Sequence, residues 1–409
     1  MVHGGLEGGG SRLAGDLRAR LLGTDGETAR PDRSHRAASR SGGSRFRCAG
    51  SALPYTEHRA DPCRSGAARR HRGSALTARR RTIATLVGLA LVLVGAVVFR
   101  LHAGPGGLGR ATDPFIIELR WLMVCSAAAV GAALAVSGAL LQAILRNPLA
   151  SPFILGLTSG AGLGIVLATY AGYLATGAIV AMQPPVWAAV VGAFAALGLV
   201  FVLSQRRGLI DPVHLVLVGV IVSVICGAAT TFIQFLLPDR GMAVYTRWVM
   251  GTISENTPWS RVALVGFVTI AGTGIAVLLG RALDSASLND DEAASVGVRL
   301  GLLRLVCFGL AGVLTGLTVS IAGPIGFVGL ICPHLVRILA GARHATLILG
   351  SALAGAALLI IADAGVALIR LPAGRMPVGV LTALVGGPLF IFLLRRRGFS
   401  MNAGRGGGA

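Results

Sequence analysis

The residue with the clearest potential for chemistry is a carboxylate inside an apolar stretch. Asp363 lies in the apolar run 346–369, where a charge is costly and by default marks a functional site. It could couple transport to an ion, or it could form a local hydrogen bond near the outer end of its helix. Ion-coupled transporters usually use a relay of ionisable groups, and this chain lacks one in its apolar runs. This scarcity favours an energy source outside the chain.

Two basic residues close another apolar run, at 325–340. Arg337 can extend toward the membrane surface, as long basic side chains do near helix ends. His334 could bind a metal only with further ligands, and none follows at a suitable spacing. The six cysteines include no Cys-x-x-Cys pair, so neither a metal site nor a disulfide framework is predicted.

The basic residues exclude several kinds of catalysis. All 37 residues counted as lysine or arginine are arginines. A phosphate-binding loop of the form Gly-x-x-x-x-Gly-Lys is therefore excluded, as is Schiff-base chemistry. We expect a chain that is not an enzyme and carries no cofactor, with ATP and Mg²⁺ bound on a partner subunit.

The polar stretch 281–301 contains a well-specified short helix. Asn289 is a good N-cap, with Glu292 three residues later as in a capping box. Asp290 and Asp291 place negative charge in the first turn, and Gly297 can end the helix. Such a helix could dock a partner subunit, or it could be a helical loop without a partner.

The elements that must position these residues are membrane-spanning helices. The chain is 54% hydrophobic and 13% charged, whereas soluble domains are about one-quarter charged. The pattern predicts an all-α polytopic membrane protein of about ten transmembrane helices. With ten spans both termini lie in the cytoplasm, and the arginines of the short loops favour this orientation in a plasma membrane. The predicted spans are approximately 83–99, 121–145, 153–174, 186–204, 213–237, 260–280, 302–322, 325–340, 346–369 and 376–394.

The sequence divides into a transmembrane region, 82–397, and two tails, 1–81 and 398–409. Residues 1–81 are rich in Gly, Ser and Arg without apolar periodicity, which predicts a disordered basic tail. The tail could attract anionic lipid, or a wrongly assigned start codon could have added it. Residues 1–82 hold 17 arginines against 7 acidic residues, half of the net charge of +20. Because the rest of the charge lies in short loops, nucleic-acid binding is not expected.

Two stretches rich in proline and glycine interrupt the helical pattern. Residues 145–164 read LRNPLASPFILGLTSGAGLG, in which Asn147-Pro148 is a turn former. Residues 323–337 read GPIGFVGLICPHLVR. Non-helical backbone at membrane depth is tolerated where it is buried in protein or lines a cavity. The residues we assign to translocation or gating are Gln142, Asn147, Pro148, Gly323, Pro324, Gly326, Pro333, His334 and Arg337.

Glycines recur at intervals of four, at Gly156, Gly160 and Gly164 and again at Gly312 and Gly316. In lipid this spacing lets helices approach closely. It indicates either ordinary packing within the bundle, which we favour, or a dedicated dimer face.

Five motifs, taken in order, resemble one family. They are SGALLQ followed by RNPLASP and GLTSGAG, then RWVMGTIS, NDDEAASVGV, GPIGFVGLICPHLVR and MPVGVLTALVGGPLFIFLL. The chain resembles the integral-membrane permease of ABC importers for ferric siderophores, haem and cobalamin, over residues 82 to 397. The resemblance implies a type II importer: a pair of permease subunits, identical or different, two cytoplasmic ATPase subunits, and an extracytoplasmic binding protein that delivers the chelate. It also implies that the loop containing Asn289–Gly297 contacts the ATPase.

The sequence departs from the family at its outer arginines. The family usually has Arg-Leu-Pro-Arg where this chain reads Arg120-Trp121-Leu122-Met123, and an acidic residue where Arg375 precedes Met376. Outer arginines of the family help to hold acidic residues of the binding protein. The resemblance assigns this role to Arg120, Arg370 and Arg375. An ion-coupled secondary transporter using Asp363 remains the alternative function.

Overall fold

The computed structural model describes residues 62–104, 106–179, 184–206, 209–210, 212–287, 290–369 and 374–402. These residues form an all-helical bundle with two short hairpins. The antiparallel strand pairs are β1 (Ala103–Gly104) with β2 (Gly107–Leu108), and β3 (Gln205–Arg206) with β4 (Leu209–Ile210). A 3-10 helix covers Pro152–Leu155. The α-helices are α1 Pro62–His102, α2 Pro114–Ile144, α3 Leu157–Thr176, α4 Val186–Ser204, α5 Pro212–Leu236, α6 Asp239–Val249, α7 Trp259–Leu278, α8 Gly280–Ala286, α9 Asp290–Ser295, α10 Leu300–Ala322, α11 Val328–Ala340, α12 His344–Leu368 and α13 Val378–Asn402.

Ten apolar helices stand where the ten spans were predicted. Within the described residues, eight are long enough to cross a membrane: α1 from Arg79, then α2, α3, α4, α5, α7, α10 and α12. The other two, Val328–Ala340 and Val378–Leu393, are shorter. The eighth predicted span is therefore a half-length helix, because the glycine- and proline-rich residues at 323–327 stay outside it.

The outer helices run further than the predicted tail boundaries. α1 begins at Pro62, so its helix includes residues 62–81 of the segment predicted to be a tail. Alanine and arginine, which are strong helix formers, dominate residues 67–70 and 78–81. α13 likewise continues to Asn402, past the boundary predicted at 397.

Helix α2 forms the centre of the bundle. Asp113 begins it by accepting a hydrogen bond from the Phe115 N–H, with Pro114 in the first turn. It packs against α12, where Gly131 and Gly355 meet so closely that a β-carbon on either would collide with the other's carbonyl. The glycines spaced by four residues in α3 likewise allow close packing of two helices. Gly160 and Gly164 pack on Ala188 and Gly192 of α4, as ordinary packing within the chain requires.

The bundle has two ends, which we name by a residue near each. At the Asp363 end, α1 and α12 finish and α2 and α13 begin. At the Gln142 end, α2 finishes and α8 and α9 connect α7 to α10. There Arg81 of α1 donates to the last carbonyls of α11, from Nε to Leu339 O at 2.8 Å and from NH2 to Ile338 O at 2.9 Å. These two bonds satisfy carbonyls that a helix end otherwise leaves without partners.

Candidate functional site

The bundle is interrupted where α10 ends. Gly323 takes φ 70° and ψ −174°, and Phe327 takes φ 68° before α11 begins. A side chain at Gly323 would collide with the carbonyl of Trp248. The Thr252 N–H donates to Ala322 O at 2.8 Å, and the Trp248 indole N–H donates to Val319 O at 3.2 Å. The end of α10 is thus held by the segment that follows α6.

A third segment joins at the same place. Gly251, at φ 70°, leaves no room for a β-carbon beside Pro324 O. The Gly379 N–H donates to Gly251 O at 2.9 Å, and a side chain at Gly379 would collide with Met250 O. We call Gly251, Gly323 and Gly379 the glycine junction. It brings the motifs RWVMGTIS, GPIGF and MPVG, which are far apart in sequence, into backbone contact.

The Gln142 side chain supplies a hydrogen bond that the backbone of α11 lacks. Pro333 lies inside that helix, has no N–H, and so leaves the carbonyl of Gly329, four residues earlier, without its helical donor. The buried Gln142 side chain donates from Nε2 to Gly329 O at 3.2 Å. Arg337 NH2 in turn donates to Gln142 Oε1 at 3.4 Å. Three predicted gating residues therefore act as one unit between α2 and α11, which approach closely at Gly138 and Gly329.

The chain turns directly after α2, at the Asn147-Pro148 pair, as the sequence predicted. The Asn147 side chain accepts from the Leu149 N–H at 2.9 Å, a common asparagine turn, with Pro148 between them. Arg146 takes a positive φ of 47°. Its guanidinium donates to Ala286 O from NH2 at 2.8 Å and from Nε at 3.2 Å. The turn is thereby tied to α8.

The predicted docking loop contains two helices, α8 and α9. Asn289 lies outside the described residues, Asp290 and Asp291 fall in the first turn of α9, and Glu292 is exposed. Gly297 takes φ 85° and donates to Ala294 O at 2.9 Å, which confirms that it ends the helix. In α8, the Asp284 carboxylate accepts from the His344 backbone N–H at 2.9 Å and contacts His344 Nδ1 at 2.7 Å. α8 is therefore tied to the start of α12 as well as to the turn after α2.

The remaining residues that were predicted to act in gating lie in or next to the segment between α10 and α11 and in α11 itself. His334 is 2% exposed, and its ring meets the Phe390 ring of α13 edge-on, with 6.0 Å between the centroids. Gly326 accepts from the Val328 N–H at 2.9 Å, and Pro324 lies at the glycine junction. No group of three or more His, Cys, Asp or Glu residues suited to a metal occurs within the described residues.

Asp363 is fully buried and carries two guanidinium partners. Arg100 Nε donates to Oδ2 at 2.5 Å, and Arg375 NH2 donates to Oδ1 at 2.6 Å. Arg375 NH1 also donates to Glu255 Oε1 at 2.7 Å. We call these four residues the Asp363 network. The structure thus gives Asp363 the local bonding role near a helix end that was one of its two predicted uses.

Two of the three arginines predicted to dock a binding protein line one cavity. It encloses about 560 Å³ at the Asp363 end, and Arg120, Arg375, Arg100 and Glu255 are among its lining residues. Arg120 donates from NH1 to Gly109 O at 3.0 Å and also to Leu101 O. Arg370 lies outside the described residues. The docking role stays a prediction. It requires that Arg375 leave the carboxylates of Asp363 and Glu255 and bind a carboxylate of the binding protein instead.

The family model described as the FecCD transport family matches residues 83–396, which is most of the chain. This chain belongs to the FecCD transport family. It is 35% identical to a hemin transport system permease protein of Yersinia pestis, over 69% of this chain and 83% of that protein. It is 33% identical to a cobalamin import system permease protein of Halobacterium salinarum, over 79% and 90%. Among solved structures, a metal-chelate type ABC transporter in an inward-facing conformation matches with a TM-score of 0.66 and 31% identity, covering 77% of this chain and 99% of that one.

Sequence reasoning missed two features of this FecCD permease. The short helix α6 carries Trp248 to the glycine junction, yet its mixed composition does not resemble a span. The sequence analysis did not connect Arg100 or Glu255 with Asp363, although Arg100 directly follows the first apolar run. An unpaired carboxylate inside the membrane is costly. The presence of Asp363 was therefore a signal that a basic partner lies at the end of a neighbouring helix or in a loop.

Proposed function

We propose that this chain is the permease subunit of an ABC importer that moves an iron-siderophore or a related chelate, such as haem or cobalamin, across the plasma membrane. The observation that carries the proposal is the glycine junction, where three family motifs meet within a bundle that has the broken helix α11. Non-helical backbone at membrane depth is tolerated where it is buried in protein or lines a cavity, and the bonded glycine junction is compatible with such a place beside a pathway. The FecCD relatives named for hemin and cobalamin support the substrate class.

The energy would come from a pair of separate ATPase subunits that bind ATP and Mg²⁺ at the Gln142 end. Exposed Glu292 lies on the segment 281–301 proposed to touch them. Two ties lead from α8 into the bundle, one from Asp284 to His344 on α12 and one from Arg146 to Ala286. When the ATPases close on ATP, displacement of α8 would be passed to α2 and α12, which pack at the centre.

The other partners follow from the same architecture. A second permease subunit, identical or different, would complete the pathway, and lipid would cover the remaining apolar surface. A binding protein would dock at the Asp363 end, where Arg120 and Arg375 line the 560 Å³ cavity. This orientation places both termini in the cytoplasm.

Gentle purification of the chain from its native host, followed by mass spectrometry, tests the proposal. We expect an ATPase subunit in equal amount, and chelate uptake by the reconstituted complex that requires ATP. A chain that purifies alone and transports in liposomes under an ion gradient would refute it. The structure gives that alternative no support, because both oxygens of Asp363 are bonded to arginines.

A further inference from the structure

A polar cavity of about 380 Å³ opens at the Asp363 end, between the end of α6 and the start of α7. Arg247, in the last turn of α6, and Arg261, in the first turn of α7, line it, and both are exposed. None of its lining residues within the described part of the chain is acidic. The neutral polar residues around it are Thr252, Ser254, Asn256, Thr257 and Ser320. The cavity therefore carries two positive charges and several hydrogen-bonding groups, which suits a bound oxyanion.

The acidic residue nearest in sequence is already engaged elsewhere. Glu255 lies between Ser254 and Asn256, but its carboxylate bonds Arg375 at 2.7 Å and faces the Asp363 network. It is not among the residues that line this cavity. Glu255 therefore does not neutralise Arg247 or Arg261 inside this cavity, and the described residues that line it supply no other carboxylate.

An apolar cleft of about 410 Å³ continues from this cavity. The two share Val186, Arg261 and Ile321 among their lining residues. The cleft then runs about one helical turn further, past Val190 of α4, Leu264 of α7 and Leu317 of α10. Leu264 is 54% exposed, so the cleft opens on the apolar outer surface of the bundle. A polar cavity that leads into an apolar cleft matches a molecule with an anionic head and a hydrocarbon tail.

Two tryptophans mark the depth of this site in the membrane. Trp187 begins the exposed surface of α4, and Trp259 is the first residue of α7. Both are at least 41% exposed, and exposed tryptophan collects at the level of lipid headgroups. Arg261, two residues after Trp259, lies at that level, and the cleft extends from it toward the hydrocarbon core.

We propose that this cavity and cleft bind one anionic phospholipid. Its phosphate lies between Arg247 and Arg261, its headgroup hydroxyls meet Ser254 and Asn256, and one acyl chain occupies the cleft between α4 and α7. The two arginines favour an anionic lipid over a zwitterionic one. The cationic part of a zwitterionic headgroup would be repelled by the arginines beside it.

Native mass spectrometry of the full-length protein, purified from host membranes in mild detergent, tests the site. We expect a retained phosphatidylglycerol that the double variant Arg247→Gln/Arg261→Gln loses, with binding weakened roughly tenfold or more. Arg240→Gln is the matched control, because this exposed arginine of α6 does not line the cavity, and it should keep the lipid. Equal retention in all three proteins, or equal retention of phosphatidylcholine, would overturn the proposal.

Soluble probes separate a lipid from a free anion. Short-chain phosphatidylglycerol and glycerol phosphate are compared for binding to the same protein, with Leu264→Asn as a variant of the cleft. A lipid site requires that the short-chain lipid binds more tightly and that Leu264→Asn weakens only the lipid. If glycerol phosphate binds as well as the lipid, the cavity is a site for soluble oxyanions and the lipid proposal is wrong.

Discussion

At the scale of single residues, Asp363 illustrates how a buried charge is made tolerable. A lone carboxylate at this position would lose its hydration without compensation, whereas here both oxygens accept charge-assisted hydrogen bonds. The residue therefore connects the end of α1 with the segment before α13. Glu255 extends the connection to the segment after α6.

Replacing Asp363 with asparagine should destabilise the protein strongly. Arg100 is 4% exposed and would keep a buried charge without its counter-ion, at a cost of about 3 kcal/mol or more. Thermal unfolding in detergent measures the loss. Glu255→Gln is the control, because its half-exposed pair should contribute less than about 1 kcal/mol. The variant Arg100→Leu/Asp363→Leu should be more stable than Asp363→Asn, and the opposite order would contradict this account.

Gln142 should become dispensable for stability when Pro333 is replaced. Gln142→Leu leaves Gly329 O without a donor, at a cost of roughly 1–2 kcal/mol. Pro333→Ala restores a backbone N–H four residues after Gly329, so the double variant should recover much of that loss. Unfolding temperatures of the four proteins form a double-mutant cycle. Purely additive effects would show that the side chain does not compensate for the proline.

At the scale of elements, the glycine junction fixes how three helices meet. The segments that directly follow α6 and α10 contact the start of α13 there through backbone atoms, and side chains at the three glycines would keep these atoms apart. Such contacts stay in register only if none of the three glycines gains a side chain. The junction therefore joins three segments that cannot separate without losing these close backbone contacts.

Gly379→Ala should disrupt the junction through steric overlap alone. Gly379 does not take a positive φ, so the penalty is steric: its new β-carbon would collide with Met250 O and crowd Pro324 O and Gly251 Cα. We expect a destabilisation of about 1–3 kcal/mol and a loss of chelate uptake. Gly326→Ala is the control in the same region, because no atom lies within 4 Å of its β-carbon position. Equal behaviour of both variants would show that the close contact is unimportant.

Asp284 should matter for coupling more than for stability. Asp284→Ala removes the acceptor for the His344 N–H and loosens α8 from α12. If α8 transmits the ATPase movement, uptake per ATP hydrolysed should fall several-fold in the reconstituted complex while expression stays normal. Asp284→Asn keeps an acceptor oxygen and should retain most of the coupling. An unchanged uptake-to-ATP ratio in Asp284→Ala would remove this tie from the mechanism.

At the scale of the whole molecule, the sequence predicted elements well and contacts poorly. The ten apolar runs and the Gly297 helix end follow from composition and local chemistry, which act over a few residues. The bond between Gln142 and Gly329 could not be predicted, because its two residues are 187 positions apart. The half-length α11 was read as a span since apolar composition does not reveal where its helix begins. Contacts between distant segments depend on how the helices pack, and this packing cannot be derived from a single sequence.

The bonds from Arg81 to α11 place a positive charge over the last carbonyls of a helix that has a proline inside it. Without these donors the carbonyls would depend on water at the end of the bundle. Because the guanidinium belongs to α1, the final turn of the half-length helix α11 is held by the first apolar helix of the chain.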